Sequence, residues 1–166
     1  MRIYRVVAVS AMTMFAVCVQ ADPALEIPLA TNLQQDARTA AEKHVPLVIL
    51  FSLPNCPHCD AVRRSHLIPL QQSPASPRKP ILRQIEANGQ MPLLGIDGVP
   101  TTHSEFARRY AIKFTPQVMF LDEHGKQLAA PLIGSMLPDF YGAYLENALQ
   151  DSLARLGNPE RGKSGS

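Results

Sequence analysis

The chain has 166 residues, of which 46% are apolar and 18% charged, and its formal net charge is +2 at pH 7. This composition suits one globular domain with a buried core and excludes general disorder. The charge is too small to indicate a nucleic-acid-binding surface, so we expect no nucleic-acid partner.

Residues 1–21 have the pattern of a secretory signal peptide. Arg2 and Arg5 precede an apolar run from Val6 to Val19, and small residues suited to cleavage follow as far as Ala21. The run is shorter than the ~20 residues that a membrane-spanning helix needs. We therefore expect an exported, periplasmic protein that does not span the membrane after cleavage.

The mature chain is expected to begin with a loose leader over residues 22–31. Asn32 can then cap a helix that ends near Lys43, ahead of Pro46. The following run, Leu47 to Ser52, is apolar almost throughout, which is typical of a strand buried on both faces of a sheet. We expect this strand to be central.

A second helix is predicted over about Pro57 to Leu67, with Pro69 ending or bending it. A second strand, "ILRQIEA", should run parallel to the first. The segment from Ala87 to His103 then carries two turn signals, "NG" and "DG", around apolar residues. It predicts a small hairpin beside the site, with a neutral surface insertion as the alternative.

The last elements are a short helix, a hairpin and a long helix. Ser104 can cap the short helix, which carries Phe106 and Tyr110, and "QVMFLDEHGKQLAA" predicts strands around a turn at Gly125. The long helix begins near residue 139, and its apolar residues are spaced to face a sheet. They are Phe140, Tyr144, Ala148, Leu149, Leu153 and Leu156. The domain would thus cover residues 32–156, followed by a disordered tail over 157–166.

The element order predicts an α/β fold with a mixed central sheet and helices on both faces. The cysteines indicate the chemistry that a protein with this fold would perform. If Cys18 leaves with the signal peptide, only Cys56 and Cys59 remain. So short a loop stabilises little as a staple, whereas a single tight pair in an oxidising compartment suits disulfide exchange.

With "CPHC" after the first buried strand and "FTPQVMFLDEHGK" later, the chain resembles the thioredoxin-fold thiol:disulfide oxidoreductases over about residues 32–156. The N-terminal pattern and "DFYGAYL" look most like the exported, single-domain thioredoxin-related branch associated with sulfur oxidation. The Pro-His dipeptide instead resembles that of strongly oxidising periplasmic disulfide donors. The resemblance implies that Pro116 follows a cis bond, lies against the cysteine pair, and together with Thr115 presents backbone to a partner.

The expected chemistry follows from the place of the pair at a helix start. Free amide hydrogens there, and the helix dipole, would stabilise a thiolate on Cys56, while Cys59, one turn later, would act as the resolving thiol. Pro57 and His58 would tune the pair, and stabilisation of the thiolate favours an oxidising poise. Thioredoxin has a buried acidic residue where this chain has Leu50, so proton transfer must use another group.

Two alternatives stay open at this point: a periplasmic copper or other metal carrier that uses the cysteine pair, and a non-catalytic adaptor with an idle pair. No cofactor is expected beyond the Cys56–Cys59 disulfide itself, and no metal. The expected partners are protein thiol or disulfide substrates and a membrane redox protein that resets the pair. The protein is expected to be a monomer.

Overall fold

The computed structural model describes residues 26–73, 78–134 and 138–157. The signal peptide predicted over residues 1–21 and the tail beyond Gly157 lie outside these ranges. Helices and strands follow in this order: α1 Leu33–Glu42, β1 Leu47–Ser52, α2 Pro57–Val62, a π-helical turn Arg63–Leu67, α3 Ile68–Gln72, β2 Ile81–Glu86, β3 Pro92–Leu94, β4 Pro100–Thr102, α4 His103–Arg109, β5 Gln117–Leu121, β6 Leu132–Ile133 and α5 Pro138–Gly157. Within the described ranges, none of the helices is both long and apolar enough to cross a membrane.

Four strands form the central sheet in the order β2, β1, β5, β6. β1 is parallel to β2, with Leu47 opposite Ile81, and antiparallel to β5, with Phe51 opposite Gln117. Every residue of β1 is buried. The predicted α/β fold with a mixed sheet is therefore confirmed, and β1 is its central strand.

Two clusters of buried side chains form the core, one on each face of the sheet. The α2/α5 face carries Val48, Leu50, Val118 and Phe120 from the strands, with Val62, Leu67, Tyr141 and Leu145 from the helices. The α1/α4 face carries Leu47, Ile49, Phe51 and Met119, with Leu33, Ala37 and Phe106. Alternate residues of β1 point to opposite faces, so this single strand contributes to both clusters.

The segment before α1 is not loose where it is described. Ile27 and Ala30 are buried, and Leu29 forms a parallel bridge with Gln84 of β2. The amide of Ala30 donates to the Gln84 carbonyl at 2.8 Å, and the Gln84 amide donates to the Pro28 carbonyl at 2.9 Å. This pairing satisfies backbone groups on the outer edge of β2 that would otherwise lie open.

The helix that starts at Pro57 also differs from its predicted end. It continues through the π-helical turn and α3 to Gln72, and Pro69 lies inside α3. The amide of Ile68 donates to the carbonyl of Arg63, five residues back. The wider turn makes room for the Pro69 ring, which would clash with the preceding turn of a regular α-helix.

The predicted small hairpin between β2 and α4 is present as β3 and β4, with Leu93 opposite Thr101. Its turn contains Gly98, at a φ of 75° that favours glycine. Leu94 forms a bridge with Asn32, so the hairpin packs beside the start of α1. The helix after it is capped by Thr102, whose Oγ1 accepts from the Glu105 amide at 3.3 Å, and the predicted cap at Ser104 is wrong.

The second hairpin turns at Gly125 as predicted, but its return strand is interrupted. Gln127 bridges Leu121, whereas the ladder of β6 begins only at Leu132, opposite Val118. From Gln127 to Leu132 the return segment advances five residues, whereas β5 advances only three from Val118 to Leu121. The two extra residues form a bulge just before Leu132.

The long helix α5 covers the predicted range and buries Ala148 and Leu149 as predicted, but its first two turns bury other residues than predicted. Tyr141, Leu145, Ala148 and Leu149 are buried against the sheet, whereas Phe140 and Tyr144 are 60% and 49% exposed. The prediction that Phe140 and Tyr144 face the sheet is therefore wrong. The difference is confined to the first two turns, because Leu156 near the other end packs against the core cluster on the α2/α5 face as predicted.

Candidate redox site

The loop between β1 and α2 places the two cysteines at the carboxyl edge of the sheet. Ser52 ends β1, and Asn55 takes a left-handed conformation with φ of 55° just before the helix. Asparagine tolerates this conformation better than most residues. Pro57 then occupies an early helical position, where its missing amide hydrogen breaks no helix hydrogen bond. Cys56 is therefore the N-cap residue of α2.

Cys56 and Cys59 form a disulfide, with their Cα atoms 5.2 Å apart. The Cys56 Sγ also accepts a hydrogen bond from the Cys59 amide at 3.2 Å. Cys56 is partly exposed, while Cys59 is fully buried beneath the helix. One sulfur atom of the pair can thus be reached from outside, and a backbone donor already points at it.

Polar contacts hold the helix of the cysteines on the sheet. The Arg63 Nε donates to Gln84 Oε1 of β2 at 2.8 Å, and Arg63 also pairs with Asp60. On the next turn the His66 ring lies against the Tyr141 ring of α5, with centroids 4.7 Å apart. Burial lowers the pKa of His66 from its ordinary value and raises the pKa of Tyr141. These contacts anchor α2 between β2 and α5.

Thr115 and Pro116 lie at the same sheet edge as the cysteines. Because Phe51 is opposite Gln117 in the antiparallel ladder, Pro116 is next to the end of β1. The Thr115–Pro116 peptide bond is cis, and the Pro116 carbonyl accepts from the Gly134 amide at 2.7 Å. The backbone amide and carbonyl of Thr115 make no hydrogen bond to any residue that the structure describes.

The remaining residues predicted for the site, Pro57 and His58, are exposed on the first turn of α2. Sequence reasoning missed Phe114, which is 67% exposed although it directly precedes Thr115. A large apolar residue in a loop beside an X-Pro pair is the signal that could have found it. It also missed Ser52, a polar residue at the end of an otherwise apolar strand.

The cysteine pair has no further possible metal ligand grouped with it in the part of the chain that the structure describes. No group of three or more His, Cys, Asp or Glu side chains there could hold an ion. A closed zinc site usually takes four such ligands. The redox-active group of this site is the disulfide itself.

Known structures share this arrangement of strands and helices. A poplar thioredoxin h mutant is 16% identical, with a TM-score of 0.51 over 82% of this chain and 92% of that chain. The DsbH oxidoreductase is also 16% identical, with a TM-score of 0.50 over 82% and 95%. Mitochondrial thioredoxin 3 from Saccharomyces cerevisiae is 22% identical, with a TM-score of 0.48 over 75% and 94%. At 16% identity, the likeness to the poplar thioredoxin h mutant and to the DsbH oxidoreductase is one of fold.

Curated protein sequences give no match to this chain. A family model described as a thioredoxin-like domain matches residues 33–149, which is most of the chain. This match covers α1, the cysteine pair, the whole sheet and the buried part of α5. The chain therefore belongs to the family of proteins with a thioredoxin-like domain.

Proposed function

We propose that this protein is an exported thiol:disulfide oxidoreductase that exchanges disulfides with protein thiols through Cys56 and Cys59. The observation that carries the proposal is the asymmetry of the pair. Cys56 is partly exposed and its Sγ accepts a backbone hydrogen bond, whereas Cys59 is fully buried. An incoming thiolate can therefore reach only Cys56, and Cys59 is the leaving group.

In the oxidising direction, a substrate thiolate attacks the Cys56 Sγ and breaks the bond to Cys59. A mixed disulfide forms between substrate and Cys56, and Cys59 leaves as a thiolate. A second substrate thiolate then attacks the substrate sulfur atom, so the substrate gains a disulfide and both cysteines are released reduced. Two electrons pass from the substrate to the pair. The reducing direction is the reverse of these steps.

An oxidising poise is the favoured version of this proposal. The Cys59 amide, 3.2 Å from the Cys56 Sγ, stabilises a thiolate more than it stabilises a neutral sulfur atom. His58 stands on the same helical turn and can add a hydrogen bond or a positive charge. Interactions that stabilise the reduced, thiolate form make the disulfide form a stronger oxidant.

A protein substrate would bind at the carboxyl edge of the sheet. The backbone of Thr115 can pair there with an extended segment of the substrate, as a strand pairs with a sheet edge. Phe114, 67% exposed, adds apolar surface beside it. Export rests on the signal-peptide pattern of residues 1–21, and a membrane redox partner would reoxidise the pair after each cycle.

The test is the reduction potential of the chain that starts at Asp22. The protein is equilibrated in glutathione buffers, alkylated and weighed by mass spectrometry, because it has no Trp to report the redox state. We expect a value nearer to about −120 mV, typical of a disulfide donor, than to about −270 mV, typical of thioredoxin. A potential near about −270 mV would instead indicate that electrons flow from the pair to the substrate.

Two variants test the assigned roles on a peptide dithiol substrate. Cys56→Ser should abolish exchange, and Cys59→Ser should accumulate a mixed disulfide between Cys56 and the disulfide form of the same peptide, because the Cys56 thiolate can attack that S–S bond and no second cysteine can release the product. Native rates in Cys56→Ser would refute the assignment of the nucleophile. Copper is added to the wild-type protein in a separate sample, and stoichiometric Cu(I) binding by a wild type with no exchange activity would favour the carrier function instead.

A further inference from the structure

Ser52, at the end of β1, has a buried hydroxyl with no partner. Its side chain is 0% exposed, and its Oγ makes no hydrogen bond to any described residue. The Ser52 backbone carbonyl, in contrast, accepts from the Ala87 amide at 2.8 Å. An unpaired buried hydroxyl is costly, so a persistent one suggests that a partner is present in another state of the protein.

The hydroxyl lies on the face of the sheet that the cysteine helix covers. Side chains alternate along a strand, and Leu50 belongs to the α2/α5 face, so Ser52 points to that face as well. On α2 the buried residues are Cys59 and Val62, and Val62 packs on the same face. The buried side of α2 therefore faces the side of β1 that carries Ser52 and Leu50.

The direction of α2 determines which residue of β1 lies nearest to Cys59. β1 and β2 are parallel, so the helix between them must run back along β1 from its carboxyl end. Cys59 precedes Val62 by almost one turn and therefore lies nearer to that end, over the last residues of β1. Ser52 is the last residue of β1. Ser52 is therefore the polar side chain of β1 that lies on the covered face at the end nearest to Cys59.

We propose that Ser52 is a positioning residue that donates a hydrogen bond to the sulfur atom of Cys59 when the disulfide is reduced. In the disulfide form the Cys59 sulfur atom is bonded to Cys56, and the hydroxyl is left unpaired. On reduction the S–S bond breaks and Cys59 gains a thiol or thiolate that can turn toward Ser52. The inference deepens the proposed function, on which it rests.

The hydrogen bond would act on the resolving step. Cys59 must be a thiolate to attack the Cys56 sulfur atom in a mixed disulfide, and burial without a polar partner disfavours that charge. The Ser52 Oγ–H stabilises the thiolate by donation and keeps its own proton. The proton that leaves the Cys59 thiol passes to water at the mouth of the site. Leu50, the neighbour of Ser52 on this face, has no polar atom for this role.

The first test is a titration of Cys59 alone. In Cys56→Ser, without residues 1–21, Cys59 is the sole cysteine, and thiolate absorbance against pH gives its pKa. Adding Ser52→Ala should raise that pKa by roughly 0.5 to 1, the effect of one lost hydrogen bond. Other charged groups on the covering elements, including His58, Asp60, Arg63, His66 and Tyr141, are the same in both proteins.

The matched control is Ser152→Ala. Ser152 is also 0% exposed, but its hydroxyl donates to the Ala148 carbonyl at 2.6 Å inside α5. This variant removes the same atom from a buried serine on α5, whose hydroxyl already has a backbone partner. It should leave the pKa of Cys59 unchanged.

The second test is the equilibrium of the intact pair with glutathione. Ser52→Ala removes an unpaired group from the disulfide form and a hydrogen bond from the dithiol form. Both effects favour the disulfide, so the equilibrium constant should shift toward it by about fivefold or more. Melting temperatures should show the same preference. Relative to the wild type, the disulfide form of Ser52→Ala should be unchanged or more stable, and its dithiol form less stable.

The outcomes separate this inference from the proposed function. If Ser52→Ala moves neither the pKa of Cys59 nor the glutathione equilibrium further than Ser152→Ala does, Ser52 does not contact Cys59 and the inference is wrong. If the wild type exchanges no disulfides, the proposed function fails. The titration of Cys59 still reports on the hydrogen bond in that case, because it requires no activity.

Discussion

The His103 side chain joins the segment before α1 to the start of α4. Its Nε2 lies 2.7 Å from the Ala30 carbonyl oxygen, and its Nδ1 accepts from the Glu86 amide at 3.1 Å. The ring is 0% exposed, so neither contact is shared with solvent. A ring with its hydrogen on Nε2 satisfies both partners. His103 therefore connects three segments: the N-terminal segment, the end of β2 and the start of α4.

His103→Phe should destabilise the protein by about 2 to 4 kcal/mol, because it leaves the Glu86 amide and the Ala30 carbonyl without this buried partner. Urea unfolding followed by circular dichroism gives the free energy. The control is His124→Phe, since the His124 side chain is 82% exposed. Similar losses in both variants would show that the His103 contacts contribute little.

The mostly buried ion pair between Arg83 and Asp36 predicts a second difference in the free energy of unfolding. Arg83 on β2 donates through Nε to Asp36 Oδ2 at 2.9 Å and through Nη2 to Asp36 Oδ1, a two-point contact with α1. Arg83→Ala leaves the buried Asp36 carboxylate unpaired, and we expect a loss of about 2 kcal/mol.

The matched control for Arg83→Ala is Arg108→Ala. Arg108 reaches Glu105 at 3.3 Å, but both side chains are more than half exposed. Exposed pairs contribute little to stability, so this variant should lose less than about 1 kcal/mol. Equal losses in the same unfolding assay would mean that burial of the Arg83 pair adds nothing.

Local signals explain which parts of the fold could be predicted from the sequence. Asn32 does cap α1, and the Asn32 Oδ1 accepts from the Gln35 amide at 2.9 Å. The apolar run Leu47 to Ser52 does form a fully buried strand, and the cysteines do follow it. In each case the signal lies within a few residues of the sequence, so the local pattern is sufficient.

Contacts between distant residues explain the rest. The pairing of Leu29 with Gln84 depends on an open edge of β2 that only the folded sheet creates. The side that the first two turns of α5 bury could not be predicted, because Phe140 with Tyr144 and Tyr141 with Leu145 are both apolar pairs spaced by four residues. Packing against the sheet and the cysteine helix selects the second pair.

The partners of the candidate site show the same division. Cys56 and Cys59 could be predicted from their spacing, and the resemblance to a family pointed to Pro116. The lack of a described partner for the Ser52 hydroxyl and for the Thr115 backbone could not, because it depends on strand register and on the path of the chain after β1. The residues next to Ser52 and Thr115 in the sequence determine neither the register nor the path.

Acid should destabilise the protein through His66. Burial against Tyr141 lowers the pKa of His66 from its ordinary value of 6.5, so the unfolded chain takes up a proton at a higher pH than the folded protein does. Stability from the neutral ring is therefore fully present above pH 6.5 and is lost as the pH falls toward the lowered pKa.

His66→Phe keeps a ring against Tyr141 and removes the titration. The difference in unfolding free energy between wild type and variant should be constant above pH 7.5 or so and should move in favour of the variant below about pH 6.5. Urea titrations at several pH values measure it. A difference that stays flat across this range would show that His66 does not titrate differently on folding.

Phe114 predicts a dependence of activity on substrate size. It is 67% exposed beside Thr115, and an apolar side chain there should bind a protein substrate but not a small dithiol. Phe114→Ser should raise KM for an unfolded protein substrate by roughly fivefold, the effect of about 1 kcal/mol of lost contact, and leave KM for dithiothreitol unchanged. Phe140→Ser removes an equally exposed Phe, at 60%, from α5 and serves as the control. If both variants raise KM for the protein substrate equally, apolar surface in general binds the substrate, and Phe114 has no special place at the site.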